Sequence, residues 1–344
     1  MKIMTKTICA LVALSASAVY AQEMQQAPKA STPAMDPNPS ARWGVKDGYN
    51  LFMTAEALVF KFSQDASPYA YKTQTNGNTH TYAAWGDYQW GFRVAGGYNI
   101  AHDKWDLVAT YTRFSNSMSH TIKDTADSTL YTYAGGFYDQ AVTALSSVTN
   151  KWKINYNVLD VEQGRQFFVS KFLRLRPKFG LRNLWLSNSQ TIYATTGTSL
   201  ETNYSTNSRQ NFWGMGVLAG LDTVWTLGQN FSIYGNVGLA GLFGYVNPKM
   251  DVNTLSGTVD SNQYRTHHRS QTKANLDLAI GLRWDRNFSD DRFHIAFNAG
   301  FEQHVYFNMA QDYMFSNAKY QETSGSSGRD FTMSGFAFGG RFDY

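Results

Sequence analysis

The sequence predicts an all-β fold, a transmembrane up-and-down antiparallel β-barrel of about ten strands within a range of roughly eight to twelve, with short periplasmic turns and long extracellular loops. Three observations carry this. The N-terminus has the pattern of a secretory signal peptide. No later stretch reaches the roughly 18 apolar residues of a membrane helix, so only strands remain for crossing a bilayer. Ten segments alternate apolar and polar residues with the period of a strand, and their connections are short and long by turns.

Lys2 and Lys6 precede an apolar run from Ile8 to Val19, and Val19-Tyr20-Ala21 forms a cleavage pattern that leaves Gln22 as the new N-terminus. Residues 1–21 are therefore expected to be a signal peptide. Residues 22–48 read as a disordered periplasmic tether, because Pro28, Pro33, Pro37 and Pro39 interrupt a polar stretch without hydrophobic period. The barrel is expected over residues 49–344. The single cysteine, Cys9, lies in the removed segment. This excludes disulfides, a catalytic cysteine and a thiolate metal centre in the mature chain. Without Lys2 and Lys6, 28 of the 30 basic residues remain against 26 acidic ones. A net charge of about +2 makes no case for a nucleic-acid partner.

Tyr88 to Ile100 is the clearest strand: Tyr88, Trp90, Phe92, Val94, Tyr98 and Ile100 share one face, while Gln89, Arg93 and Asn99 take the other. The same test marks Leu51–Phe62, Trp105–Phe114, Trp152–Phe168, Phe172–Leu186, Phe212–Trp225, Phe231–Tyr245, Ala274–Phe288, Phe293–Phe307 and Phe331–Tyr344. Short turns fall at 101–104, 170–171, 228–230 and 289–292. Between them lie polar connections at 63–87, 115–150, 187–211, 247–272 and 309–330. That rhythm is the outer-membrane one, with an even strand number and both ends periplasmic. The last strand places Phe336, Phe338, Phe342 and the terminal Tyr344 on one face, as expected for a signal read by the barrel-assembly machinery.

Charge on the inward face defines any pathway through a barrel. If Leu173, Leu175, Phe179, Leu181 and Trp185 face lipid, then Arg174, Arg176, Lys178 and Arg182 form an inward ladder of cations. Asp160 and Glu162 on the preceding strand supply part of their counter-charge. Trp152, Ile154, Tyr156 and Val158 alternate in one phase and Leu159 and Val161 in the other, so a bulge near Val158 is expected. Pro177, which has no ladder donor, predicts a local irregularity. Glu56, Arg93, Asp277 and Arg283 are inward by the same alternation. These charges either close the lumen as a salt-bridged plug or line a conducting constriction, and the alternation leaves both open. Trp90, Trp105, Trp152, Trp185, Trp213, Trp225 and Trp284 read as interfacial girdles. Gly91, Gly97, Gly214, Gly216, Gly281 and Gly339 suit a narrow interior.

No catalytic residues, metal or cofactor are expected. His102-Asp103 falls on a short periplasmic turn, His267-His268 point apart on an extended chain, and His294 and His304 stand isolated in the sequence. No GxxxxGK, HExxH or GxSxG occurs.

The stretches WGFRVAGGYNIAHDKWDLVATYTRF (90–114) and WKINYNVLDVEQGRQFFVSKFLRLRPKFGLR (152–182), with the opening strand LFMTAEALVFKF, resemble the Legionella-type major outer membrane protein family, pore-forming proteins also found in environmental chlamydiae. The resemblance implies a porin for passive diffusion of small hydrophilic solutes or ions, and no enzyme. Mild anion preference is expected because the ladder cations outnumber their nearby acids. The alternative is a plugged structural or surface-contact barrel. The family is linked with cysteine cross-bridging, from which this mature chain departs. Outer-membrane lipid, the barrel-assembly machinery, small solutes and a second copy of the chain are the expected partners.

Overall fold

The computed structural model describes residues 49–100, 105–132, 145–197, 203–256, 258–265, 269–312 and 327–344. The expected signal peptide and tether, His102-Asp103 and His267-His268 lie outside them. The strands are β1 (Leu51–Gln74), β2 (Thr79–Trp85), β3 (Gln89–Asn99), β4 (Trp105–Lys123), β5 (Ser128–Thr132), β6 (Leu145–Arg165), β7 (Phe167–Phe168), β8 (Leu173–Thr196), β9 (Asn203–Gly228), β10 (Phe231–Ser256), β11 (Thr258–Arg265), β12 (Arg269–Phe288), β13 (Phe293–Asp312) and β14 (Ser327–Asp343).

Ten long strands pair antiparallel in the closed circuit β1-β3-β4-β6-β8-β9-β10-β12-β13-β14-β1. Followed through its partners, the residue row that starts at Leu51 returns to β1 at Ser63, a stagger of twelve residues (51 to 63). Ten strands with that stagger tilt by about 40° and enclose an interior just wide enough for side chains to fill. Closure leaves no unpaired sheet edge, and this lets a backbone cross hydrocarbon. The β9–β10 turn has left-handed Gln229 (φ 49°) and Asn230 (φ 69°), the pair of positive φ values that a two-residue hairpin demands.

The connections expected as loops are largely continued strand. β1 runs on to Gln74 and turns back as β2, β10 pairs with β11, and β8 and β9 stay paired up to Thr195↔Asn203. β5 pairs with both β1 and β6, which makes a shorter circuit above the rim. Polar cross-strand pairs accompany these extensions: Thr121 with Thr149 at 2.9 Å, Ser187 with Asn211 at 2.7 Å and Thr191 with Asn207 at 3.5 Å. Above the bilayer neither face has to be greasy, so the apolar alternation that marks a strand disappears while the ladder continues.

The expected bulge at Val158 is absent: β6 pairs in unbroken register from Tyr156 to Glu162 with both β4 and β8. Trp152, Ile154, Tyr156 and Val158 face the same way as Asp160 and Glu162, into the barrel. The change of character along β6 is a change of depth in the lumen, not of phase. Trp152 is accordingly 1% exposed and belongs to the interior, whereas Trp90, Trp185 and Trp225 are exposed on the outer face. Opposite Pro177 the ladder does break, since β6 ends at Arg165 and β7 begins at Phe167.

Inward glycines let neighbouring strands approach closely. A Cβ on Gly216 would stand 1.7 Å from the Gly241 carbonyl oxygen, a backbone atom that cannot yield cheaply. Gly216→Ala is expected to cost about 1–3 kcal/mol through overpacking, read from the urea midpoint of the folded barrel. An unshifted midpoint would show that β9 and β10 can part at that row.

Candidate functional site

On the inward faces of β1, β6 and β8 charge lies in the periplasmic half and apolar side chains in the extracellular half, while β12 also buries Lys273 in its extracellular half. β1 passes from Glu56 to Leu58, Phe60 and Phe62; β8 passes from Arg174, Arg176, Lys178 and Arg182 to Leu184 and Leu186. β6, running the other way, passes from Trp152, Ile154, Tyr156 and Val158 to Asp160 and Glu162. The extracellular half is a packed cap: the rings of Phe62 and Trp152 meet edge to face at 4.3 Å, and the hydroxyls of Tyr156 and Tyr306 bond at 2.6 Å. Leu130 of β5 and Leu145 of β6, both fully buried, close it from above.

Below the cap one chain of ion pairs crosses the barrel. The Arg182 guanidinium donates to both Asp160 oxygens at 2.8 and 2.7 Å, and to Asp277 at 2.5 Å. Asp277 bonds His304 Nδ1 at 2.7 Å, and His304 Nε2 lies 3.2 Å from Glu302. Glu302 accepts twice from Arg93, at 2.9 and 2.7 Å, and Arg93 also donates to Glu56 at 2.7 Å. Since β8 and β12 are separated in the ring by β9 and β10, the Arg182–Asp277 pair spans the lumen.

A second cluster lies nearer the periplasm. Arg176 donates to Asp106 at 2.9 Å, Glu162 at 3.0 Å and Asp222 at 2.8 Å, while Lys178 meets Glu162 at 3.2 Å and Asp222 at 3.0 Å. At the rim, fully buried His294 sits between Asp343 at 2.7 Å and Asp285 at 3.3 Å. Arg283 and Arg341 pair with Asp285 and Asp343, and Arg174 approaches Asp285 at 4.0 Å. A cavity of about 320 Å³ lies among these groups, bounded near the rim by Phe52 and Arg341 and toward the cap by Tyr156 and His304.

The ten residues singled out from sequence all line this cavity: Glu56, Arg93, Asp160, Glu162, Arg174, Arg176, Lys178, Arg182, Asp277 and Arg283. The expectation that cations outnumber acids does not hold. Among the described residues Arg93, Arg174, Arg176, Lys178, Arg182, Arg283 and Arg341 meet Glu56, Asp106, Asp160, Glu162, Asp222, Asp277, Asp285, Glu302 and Asp343, seven Arg and Lys side chains against nine carboxylates, with His294 and His304 not counted. Sequence reasoning missed Asp106, Asp222 and Glu302, whose cations Arg176, Lys178 and Arg93 come from other strands, and it missed Asp285 and Asp343 although Arg283 and Arg341 stand two residues away on the same strands; each has the inward phase of its own strand. His294 and His304, isolated in sequence, are held between carboxylates. Phe336, Phe338, Phe342 and Tyr344 stand exposed on the outer face.

A family model described as the Legionella pneumophila major outer membrane protein precursor matches residues 45–344. Among solved structures, the outer membrane protease OmpT of Escherichia coli is 7% identical with a TM-score of 0.40, over 86% of this chain and 96% of that one. A FadL homologue of Pseudomonas aeruginosa is 9% identical with a TM-score of 0.23, over 86% of this chain and 89% of that one. The toluene transporter TodX of P. putida is 8% identical with a TM-score of 0.23, over 86% and 90%. Likeness of this size carries no argument about protease or transport chemistry here. No curated protein matches the chain. With nearly all of the barrel matched, the chain belongs to the Legionella major outer membrane protein family and is an outer-membrane β-barrel.

Proposed function

We propose that the protein is a narrow porin for passive diffusion of small hydrophilic solutes or ions, and that the conformation described here is its closed state. The observation that carries the reading is a charge-lined cavity of about 320 Å³ under an apolar cap. Water and ions are stable among the ion pairs, and a packed aromatic layer excludes them, so the cap is the barrier. Passage requires the cap to part, and on this reading the β1–β2 hairpin and β5, which pair above it, move with it. On the same reading, residues 1–21 direct export, residues 22–48 are a periplasmic tether, and the outward aromatics of β14 are read by the barrel-assembly machinery.

Planar-bilayer recording of the refolded full chain tests this: brief, small conductance steps are expected. The second reading, a plugged structural or surface-contact barrel, is favoured by ion pairs that satisfy one another across the lumen. A silent bilayer with folded, heat-modifiable protein would decide for it. With at least as many carboxylates as Arg and Lys side chains in the lumen, the open pore is expected to show no anion preference. Converting Arg174, Arg176, Lys178 and Arg182 to glutamine should move the reversal potential in a salt gradient toward cation selectivity. A strongly anion-selective wild type would contradict the charge count.

A further inference from the structure

The outer face is not uniformly apolar. Because equal depth shifts by just over one residue from strand to strand, outward residues on different strands can be compared. On β9, β10, β12 and β13 the lipid-facing side chains are mainly apolar up to Met215, Phe243, Leu276 and Phe307, with Thr223 and Gln303 as polar exceptions. On β4 and β6 they stop at Tyr111 and Leu159, on average roughly three residues lower on the same depth scale. Above these come Arg113, Ser115, Asn157, Asn155, Lys153 and Lys151, in the outward phase.

By the same scale Arg113 lies within about one residue of the depth of Trp90, and Lys153 near Tyr245, where aromatic rings mark the outer-leaflet interface. Arg113, Lys151 and Lys153 are exposed, and among the described residues none has a carboxylate partner. Their neighbours are hydrogen-bonding groups already arranged between strands: Tyr111 donates to the Asn157 carboxamide oxygen at 2.9 Å and Ser115 to that of Asn155 at 2.9 Å. The carboxamide NH2 groups remain as donors. Lys151 is steadied over the Tyr193 ring at 5.2 Å.

We propose that this face of β4 and β6 binds the phosphorylated saccharide headgroup of an outer-leaflet glycolipid, with Arg113, Lys151 and Lys153 contacting phosphate. Cations that climb this face from the depth of Trp90 to just above that of Tyr245 meet anionic lipid groups over that height, and a guanidinium holds phosphate through two parallel bonds. The amide and hydroxyl ladder meets sugar hydroxyls. A second copy of the chain fits less well, since a two-fold contact here would set like charges against one another. The inference rests on the outer-membrane barrel and is independent of whether the lumen conducts.

The test uses the refolded full chain in nonionic detergent, with diphosphorylated lipid A as the probe and bound lipid counted by native mass spectrometry. Dephosphorylated lipid A is expected to bind about tenfold more weakly, and the triple variant R113Q/K151Q/K153Q to lose about as much for the phosphorylated form. Lys171→Gln with Arg286→Gln, at the periplasmic end, should change nothing. Heat-modifiable migration confirms that each variant is folded, and unaltered conductance behaviour separates this site from the lumen. Equal binding of the two lipids, or wild-type binding by the folded triple variant, would overturn the proposal. So would full displacement of lipid by inorganic phosphate, or a lipid-free dimer that the triple variant abolishes.

Discussion

Arg176→Met will lower the unfolding free energy of the barrel by about 3–5 kcal/mol, the range for removing one partner of a buried ion pair. Arg176 holds three carboxylates at once, from β4, β6 and β9: Asp106 at 2.9 Å, Glu162 at 3.0 Å and Asp222 at 2.8 Å. With methionine in its place, Glu162 and Asp222 keep only Lys178, and Asp106 loses the guanidinium it accepts from. The penalty comes from charge left without compensation, more than from attraction lost. Adding Asp106→Asn should therefore return a good part of it. Urea titration of the folded barrel in lipid vesicles, followed by tryptophan fluorescence, measures both variants, with exposed Lys249→Met as a control expected within about 0.5 kcal/mol of wild type. A loss below about 1 kcal/mol would mean that lumen water already hydrates these carboxylates.

The second large effect is on conductance. Phe62→Ala combined with Trp152→Ala removes two fully buried rings that meet at 4.3 Å in the cap. Each truncation costs about 3–5 kcal/mol if the space stays empty. Between the charged lumen below and the aqueous exterior above, some of that cavity hydrates, and a hydrated gap no longer excludes ions. Single-channel conductance is expected to rise severalfold, with longer open times, whereas Phe301→Ala on the lipid face leaves it alone. Folded double variant with wild-type conductance would remove the cap as the barrier and place the constriction in the ion-pair belt.

The strand pattern was legible wherever one face had to meet hydrocarbon. Tyr88 to Ile100 and the aromatic end at Phe336 to Tyr344 announce themselves because lipid tolerates only apolar side chains on alternate positions. The same rule hid the extracellular extensions, where β2, β5 and β11 carry no such constraint. It also misled at Trp152, whose large ring reads as a girdle residue yet fills the lumen. The alternation locates an inward residue without saying what stands opposite it. Arg176 could be assigned to the interior from Leu173, Leu175 and Phe179 beside it, but Asp106 lies 70 residues away in the chain.

Local periodicity was thus sufficient for the barrel, its orientation in the membrane and the inward cations, because each depends on neighbours within one strand. Which carboxylate answers which cation, and that the lumen is charged below and aromatic above, depended on closure of the ring. Closure brings β8 within reach of β12 and β3 within reach of β13, each three steps apart in the ring, at a stagger that no single strand encodes. Only in that cylinder does the count of charges come out nearly even, and only there does the basic face of β4 and β6 reach the depth of lipid headgroups.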